Sequence, residues 1–347
     1  MFALALLYAL LVPGYAWSQP AEEALLDVGV VIFDPGIPED RSTHSRLGIF
    51  PEIRKSEAKY MAVLLRQVLM DSGEWGVVRV LPEPQASSEV LVTGSILHSD
   101  GLRLEFVVRV SDAVGRAWFE RTYRREAGEA DYPVASGGDP FLPMYVAIAS
   151  DMLSSRDALD ARQLRAVRDV GVLRYAASLA PEVFGTYLAR DEQGRYSAAR
   201  LPAEDDPMMA RVQRIRNQEH LFIDTVDEQY ARLREDMAPT YHLWRQYGQE
   251  QALFRADYEA RAAERERGGR RGSFVALQQT YNTYKGLKIQ EQDLDELAQG
   301  FNNEVAPTDM DVQGRVVRLS GTLESQYREW REILRRIFAL ETGLPPT

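Results

Sequence analysis

The stretch that decides the fold is Val90–Tyr123, which reads VLVTGSILHSDGLRLEFVVRVSDAVGRAWFERTY. It contains two turn signals, Ser99–Gly101 and Asp112–Gly115, because Asp and Gly tolerate the positive φ angles of tight turns. The stretch therefore predicts a three-stranded antiparallel meander. Between the two turns every second residue is apolar, which is the period of a half-buried strand; these residues are Leu102, Leu104, Phe106, Val108 and Val110.

Upstream of the meander, the pattern predicts two further strands with a helix between them. Asp27–Phe33 is a short β-branched apolar run, typical of a buried strand, and Val77–Leu81 is a second one. The order of strand, helix, strand and meander predicts a mixed α/β domain over residues 24–126. Between the two runs, from Pro51, the period is helical and one face is apolar: Ala58, Met61, Leu65 and Val68.

Downstream of the meander, the pattern becomes helical. Residues 127–139 are rich in Gly, Ala and acidic residues and are interpreted as a linker, and residues 140–343 as a helical domain. Helices are expected at Asp160–Ser178 and after Pro207, where apolar residues recur at helical spacing, with an interruption at Pro239. We therefore predict an α+β protein, in which an N-terminal mixed α/β domain is followed by a mainly α-helical antiparallel bundle.

Smaller elements are predicted within the helical region. A hairpin is expected around 191–194, where Gly194 follows polar residues. Shorter helices are predicted over Phe274–Leu287 and Gln290–Val305. The last helix is expected to begin at Thr308, because Thr308 and Asp311 match a capping box, and to continue through apolar residues at spacings of three and four to Ile337.

The N-terminal residues have the layout of a secretory signal. Residues 1–21 contain no charged side chain, Phe2–Val12 is an unbroken apolar run, and small residues suitable for cleavage follow at Ser18 and Ala21. The sequence predicts a signal peptide over residues 1–21, cleaved near Ser18 or Ala21, and a periplasmic protein. The alternative is an uncleaved anchor, although the apolar run is shorter than the roughly 20 residues of a spanning helix.

The composition excludes several classes of function. The chain has no Cys, which rules out disulfides, thiol nucleophiles and thiolate metal sites. A formal net charge of −11 argues against binding to nucleic acid, whose phosphates require a positive surface. No cofactor is expected.

The meander also resembles a known domain. Gly94-Ser95, the turn Asp112–Gly115 and Trp118 occupy the places of a pattern in the amino-terminal domain of TolB-like periplasmic proteins. That fold is shared by the curli secretion lipoprotein CsgG and by lipoproteins that activate penicillin-binding proteins. The resemblance covers residues 24–126 and implies an envelope adaptor domain that binds proteins. It carries over no catalytic residue, and the lipid-bearing Cys of many relatives is missing.

Catalytic motifs are weak. Ser56 and Lys59 match Ser-x-x-Lys, the nucleophile motif of penicillin-binding enzymes, but neither Ser-Asp-Asn nor Lys-Thr-Gly follows. The match falls on an amphipathic helix, where chance explains it. No Gly-x-Ser-x-Gly elbow accompanies the four histidines, so no catalytic residue is assigned.

Two groups of residues are candidates for binding. Glu219, His220 and Asp224 lie within about one helical turn and could hold a metal ion; a polar cluster between helices is the alternative. Glu219 also falls on an apolar helix face, so its carboxylate is expected to be buried with a partner, either an Arg or His242. The second group could touch anionic lipid, lipopolysaccharide or an acidic partner, or form a solvated hairpin end: Arg265, Arg267, Arg270 and Arg271.

These features favour a non-enzymatic periplasmic adaptor or scaffold protein in cell-envelope assembly or secretion. An envelope or outer-membrane protein is the expected partner, and contact with a membrane is expected to be peripheral. Two alternatives stay open. One is an envelope hydrolase or peptidoglycan-active enzyme with a non-contiguous site, and the other is a metal or small-ligand binder in the helical bundle.

Overall fold

The protein is represented by a computed structural model. The predicted signal peptide and the helices predicted over Phe274–Leu287 and Gln290–Val305 lie outside the residues that it describes. The described residues are 25–44, 48–85, 87–135, 138–203, 205–267, 307–312 and 315–344.

A five-stranded mixed sheet contains the predicted meander. Its strands are β1 (Val28–Val31), β2 (Val78–Leu81), β3 (Val90–Ser99), β4 (Arg103–Asp112) and β5 (Ala117–Glu126), in the order β2-β1-β3-β4-β5. Strand β1 is parallel to both of its neighbours, and β3, β4 and β5 are antiparallel. The alternating apolar residues of β4 are buried, as their period predicts. The meander and the two upstream strands are therefore confirmed.

Six helices accompany the sheet in the described part of the chain. They are α1 (Pro51–Asp71), α2 (Leu142–Asp157), α3 (Ala161–Leu179), the single turn α4 (Pro181–Phe184), α5 (Pro207–Arg267) and α6 (Leu323–Thr342). The predicted helix over Asp160–Ser178 is confirmed as α3, whose capping box is formed by Asp160 and Gln163. The core joins the sheet to α1, α2, α5 and α6 in one cluster of buried apolar residues.

Helix α5 is longer than the sequence indicates. It runs through Pro239 for 61 residues, so the predicted interruption there is wrong. A proline inside a helix has no N–H to donate to the carbonyl four residues earlier. Packing outweighs this loss, because Tyr241 and Trp244, in the turns that follow, are 0% and 2% exposed. At a rise of about 1.5 Å per residue, α5 is about 90 Å long.

The predicted last helix is also wrong in its first half. Thr308–Val312 and Arg315–Leu319 form a β-hairpin, β8 and β9, and α6 begins only after Thr322, whose hydroxyl caps the N–H of Ser325. The spacing of valines between 312 and 317 fits an alternating strand as well as a helix. β-Branched residues favour the strand, and Gly321, with φ of 98°, separates the hairpin from α6.

A second hairpin lies between α4 and α5. Strands β6 (Leu188–Arg190) and β7 (Tyr196–Ala198) pair antiparallel, and Gly194 takes a φ of 80° in their turn, which confirms the hairpin predicted there. The chain is thus a mixed α/β protein with a mixed sheet and a helical region. Within its described residues, the structure has no helix that combines the length and the apolar character needed to cross a membrane.

Candidate functional site

Helix α5 carries the candidate residues, and Glu219 is the most buried of them, 3% exposed. Its carboxylate accepts hydrogen bonds from Gln85 at 2.8 Å, from Tyr175 at 2.8 Å and from Tyr327 at 2.6 Å. The guanidinium of Arg331 on α6 lies 3.4 Å from the same carboxylate. The predicted burial with an arginine partner is confirmed.

The Glu219 cluster, defined as Glu219, Gln85, Tyr175, Tyr327 and Arg331, joins four segments of the chain. Burial and the neighbouring carboxylate raise the pKa of both tyrosines well above its ordinary value. Their hydroxyls therefore stay protonated and donate to the carboxylate. Because its oxygens are occupied by these donors, Glu219 acts as a structural tie between α3, α5 and α6.

The other two metal candidates have different contacts from Glu219, although His220 lines the same small cleft. Asp224 pairs with Arg79 of β2 at 2.7 Å. His220 faces Arg79 and Arg216, and burial together with these cations lowers the pKa of its imidazole to about 4. Among the described residues, no group of three or more side chains that could ligate a metal comes together. The three candidates thus serve separate contacts.

The low pKa of His220 predicts a pH dependence. Its ordinary pKa is 6.5 and its folded pKa is about 4, so the unfolded chain binds more protons between these values. Stability is therefore lost as pH falls from about 6.5 to about 4, by about 2–3 kcal/mol from this group. We expect His220→Gln to remove that loss, so that the variant becomes more stable than the wild type at pH 4 relative to pH 7.

Denaturant unfolding of both proteins across this pH range measures the difference. Asp227 titrates in the opposite sense, because burial raises its pKa to about 6 despite its bond to Arg66. This contribution is present in both proteins and cancels in the comparison. A difference in unfolding free energy between variant and wild type that stays constant with pH would contradict the lowered pKa of His220.

A second buried charge cluster was not indicated by the sequence. The Arg245 cluster consists of Arg245 on α5, Glu57 on α1, Asp139 and Tyr241. Arg245 is 0% exposed, and its guanidinium lies 2.8 Å from Asp139 and 3.6 Å from Glu57. Glu57 also accepts a bond from the hydroxyl of Tyr241. The ring of Tyr241 lies 4.2 Å below the guanidinium, a cation–π contact in a dry environment.

The sequence does contain one signal for this cluster. Glu57 shares a helix face with Met61 and Leu65, four and eight residues later, both of which are fully buried. A charged residue on a buried face requires a partner, the same reasoning that located Glu219. His242, the alternative predicted partner of Glu219, instead contacts Tyr60 at 3.2 Å, next to the Arg245 cluster.

The Ser-x-x-Lys match lies on the same helix as Glu57. Ser56 is 2% exposed, on the core side of α1. A nucleophile needs a surface that a substrate can reach, and this serine has none. The motif is therefore part of the packing of α1.

Two glycines, Gly101 and Gly248, allow the backbone of α5 to pack closely against the β3–β4 turn. A β-carbon on Gly101, whose φ is 86°, would lie 2.0 Å from the carbonyl oxygen of Arg245. A β-carbon on Gly248 would lie 2.4 Å from the carbonyl oxygen of Asp100. The two backbones approach closely only because neither residue has a side chain. This contact fixes the position of α5, at Arg245 and Gly248, relative to the β3–β4 turn.

Two open clefts flank α5 near this contact. One, of about 610 Å³, lies between α5 and residues 133–135 and 138–142, and includes Tyr60 and His242. The other, of about 620 Å³, lies between α5 and the β3–β4 turn and includes His98 and Asp100. Asp100 accepts bonds from His98 and from the backbone of the turn, so its carboxylate holds the hairpin. No Ser, Thr or Cys lines either cleft in the described part of the chain.

Apolar side chains continue from the clefts along the exposed face of α5. The exposed stripe, defined as Leu243, Tyr247 and Phe254, has members four and seven residues apart, so they share one face. They are 43%, 47% and 42% exposed. An aligned set of large apolar side chains on a helix is unlike the single exposed residues of an ordinary surface.

Two of the four arginines predicted to contact an anionic partner lie at the end of α5. The backbones of Arg265 and Arg267 belong to its last turns, and Arg270 and Arg271 lie outside the described residues. The hypothesis that these arginines contact anionic lipid, lipopolysaccharide or an acidic partner stays a prediction.

Comparison with known proteins gives no relative. No family model, no curated protein and no solved structure matches the chain.

Proposed function

We propose that this chain is a non-enzymatic adaptor or scaffold protein of the cell envelope, exported to the periplasm, which acts through protein–protein contacts. The exposed stripe on α5 is the observation that carries the proposal. It presents three large apolar side chains in line, beside two clefts with partly apolar walls. An apolar helix face with adjacent grooves fits a partner helix that lays its own apolar side chains between them.

The scaffold part of the proposal rests on the length and anchoring of α5. Its middle is fixed to the sheet domain by the Arg245 cluster and by the two glycines. Its residues beyond Gln249 continue for 18 positions to Arg267, about 27 Å of helix. A helix that is fixed at one end to the sheet domain can hold a bound partner at a defined distance from that domain. We propose that a TolB-like domain over residues 24–126 forms this base, with an antiparallel bundle built around α5 and α6.

The clefts allow a second candidate, a hydrolase with a non-contiguous site. His98 and Asp100 lie 2.7 Å apart in an open cleft, which is the geometry of a base and the group that orients it. Asp100 also binds the N–H groups of Leu102 and Arg103, at 3.1 and 2.7 Å. These contacts support its role as a turn cap, and the adaptor proposal is preferred for this reason.

The adaptor proposal is tested by removing the exposed stripe. We expect Leu243→Ser with Tyr247→Ser to weaken binding to the envelope partner at least tenfold, because each buried large apolar side chain contributes about 1.5–3 kcal/mol. The tagged wild type is purified from envelope extracts, the partner is identified by mass spectrometry, and affinity is then measured with purified proteins.

The matched control changes two exposed apolar residues elsewhere, Val77→Ser with Leu340→Ser, which are 48% and 84% exposed. This variant is expected to bind like the wild type. Equal binding by all three proteins would contradict the role of the stripe. N-terminal sequencing of the purified protein tests export, since a chain that begins at Met1 would contradict cleavage near Ser18 or Ala21.

A further inference from the structure

Three arginines stack on tyrosine rings at the β6–β7 hairpin, two from the hairpin and its flanks and one, Arg174, from α3. The guanidinium of Arg200 lies 4.0 Å from the centre of the Tyr187 ring. Those of Arg174 and Arg190 lie 4.4 and 5.4 Å from the centre of the Tyr196 ring. Stacking holds the planar guanidinium groups in place while leaving their N–H edges available to an anion.

These three arginines have no acidic partner. Within the described residues, none of Arg174, Arg190 and Arg200 has a carboxylate oxygen within 4.0 Å, the distance that defines the ion pairs elsewhere in the chain. Arg190 donates to the carbonyl of Gly194, and Arg200 to the hydroxyl of Thr186. Asp191 and Glu192 lie in the turn of the same hairpin, where Asp191 pairs with Arg195. In a chain with a net charge of −11, the hairpin together with Arg174 therefore keeps a small excess of positive charge.

An apolar residue lies beside these charges. Leu201, adjacent to Arg200, is 60% exposed. Arg190 and Arg200 are themselves exposed, while the rings of Tyr187 and Tyr196 are partly buried beneath them. Arginine, tyrosine and an exposed leucine on one short hairpin match the composition of surfaces that sit at the interface of a bilayer.

We propose that the β6–β7 hairpin binds the headgroups of an anionic phospholipid bilayer, with Arg190 and Arg200 contacting phosphates and Leu201 entering the interface. The hairpin is anchored for this role. The N–H of Tyr196 donates to the carbonyl of Val114 at 2.7 Å, which ties the hairpin to the β4–β5 turn. Because the rest of the chain is acidic, attraction at this patch would also orient the protein on the membrane.

The test is sedimentation of the processed, exported protein with vesicles of phosphatidylcholine alone and of phosphatidylcholine mixed with phosphatidylglycerol. We expect binding only to the mixed vesicles, and loss of that binding at high salt. Arg190→Gln with Arg200→Gln is expected to weaken binding by about tenfold or more, at about 1 kcal/mol for each basic residue near the surface. Leu201→Ser should weaken binding with the salt dependence retained.

The control removes two arginines from exposed helical pairs, Arg232→Gln with Arg336→Gln. It changes the net charge equally and is expected to bind like the wild type. Three results would overturn the proposal: equal binding to both kinds of vesicle, equal loss in the control, or no binding to the mixed vesicles, whether or not polyglutamate binds. The proposed adaptor role is tested with variants of Leu243 and Tyr247. Failure of the membrane proposal and failure of the adaptor proposal can therefore be distinguished.

Discussion

Arg245→Met is expected to lower the free energy of unfolding by about 3–5 kcal/mol, which is the cost of removing one partner of a buried ion pair. The guanidinium is fully buried between Asp139 and Glu57. Methionine fills much of the same volume, so the loss comes from the carboxylates: Asp139 is left without a cation, and Glu57 keeps only Arg54, at 3.8 Å. Denaturant unfolding at neutral pH measures it.

The pH dependence separates this cause from a packing defect. Buried carboxylates without a cation take up protons more readily, so the folded variant binds more protons than the unfolded chain as pH falls. The deficit relative to the wild type should therefore shrink towards acid pH. Arg232→Met is the control, since Arg232 forms an exposed pair with Glu228, and its effect should stay within about 0.5 kcal/mol. A deficit as small as the control's would show that the cluster contributes little.

Gly248→Ala is expected to reverse the usual sign of such a change. Replacing glycine by alanine inside a helix ordinarily stabilises it by about 0.5–1 kcal/mol. Here the new β-carbon would lie 2.4 Å from the carbonyl oxygen of Asp100, which is backbone and cannot rotate away. We expect a loss of about 1–3 kcal/mol, as for overpacking of a core. A stabilised variant would mean that α5 lies farther from the β3–β4 turn than the 2.4 Å approach indicates.

Gly101→Ala should cost more, about 3 kcal/mol, because a left-handed φ adds to the clash with the carbonyl of Arg245. Gly48 provides the matched control. Its φ is 64°, but no atom lies within 4 Å of a β-carbon built there. Gly48→Ala should therefore lose only the conformational part, about 1 kcal/mol. Equal effects at both glycines would assign the loss to the backbone angle alone.

Local periodicity predicted the sheet well, because every signal in it is short-range. The alternation in Arg103–Asp112 and the turns at Gly101 and Gly115 determine β3, β4 and β5 without reference to the rest of the chain. The same reasoning went wrong at Thr308, where a capping pattern and an apolar spacing of four both suggested a helix. A spacing of four is shared by a helix face and a strand face, so it could not distinguish them.

The candidate site depended on contacts that local patterns do not show. The burial of Glu219 could be predicted from its position on an apolar face, and its arginine partner from the cost of an unpaired charge. Which arginine it meets is decided by the packing of α6, whose start was predicted wrongly. The helical spacing of Leu243, Tyr247 and Phe254 does not distinguish a buried face from an exposed one, and only their exposure in the structure marks them as surface.

The bond between Tyr241 and Glu57 joins residues 184 positions apart, and this has a consequence for the order of folding. Glu57 emerges from the ribosome long before Tyr241 and Arg245, so in the early chain its carboxylate has only Arg54, at 3.8 Å, and Ser99 as partners. Distant contacts of this kind make folding slow, because a long loop must close before the contact is gained. The first half of the chain should therefore reach its final packing around Glu57 only after α5 has been synthesised.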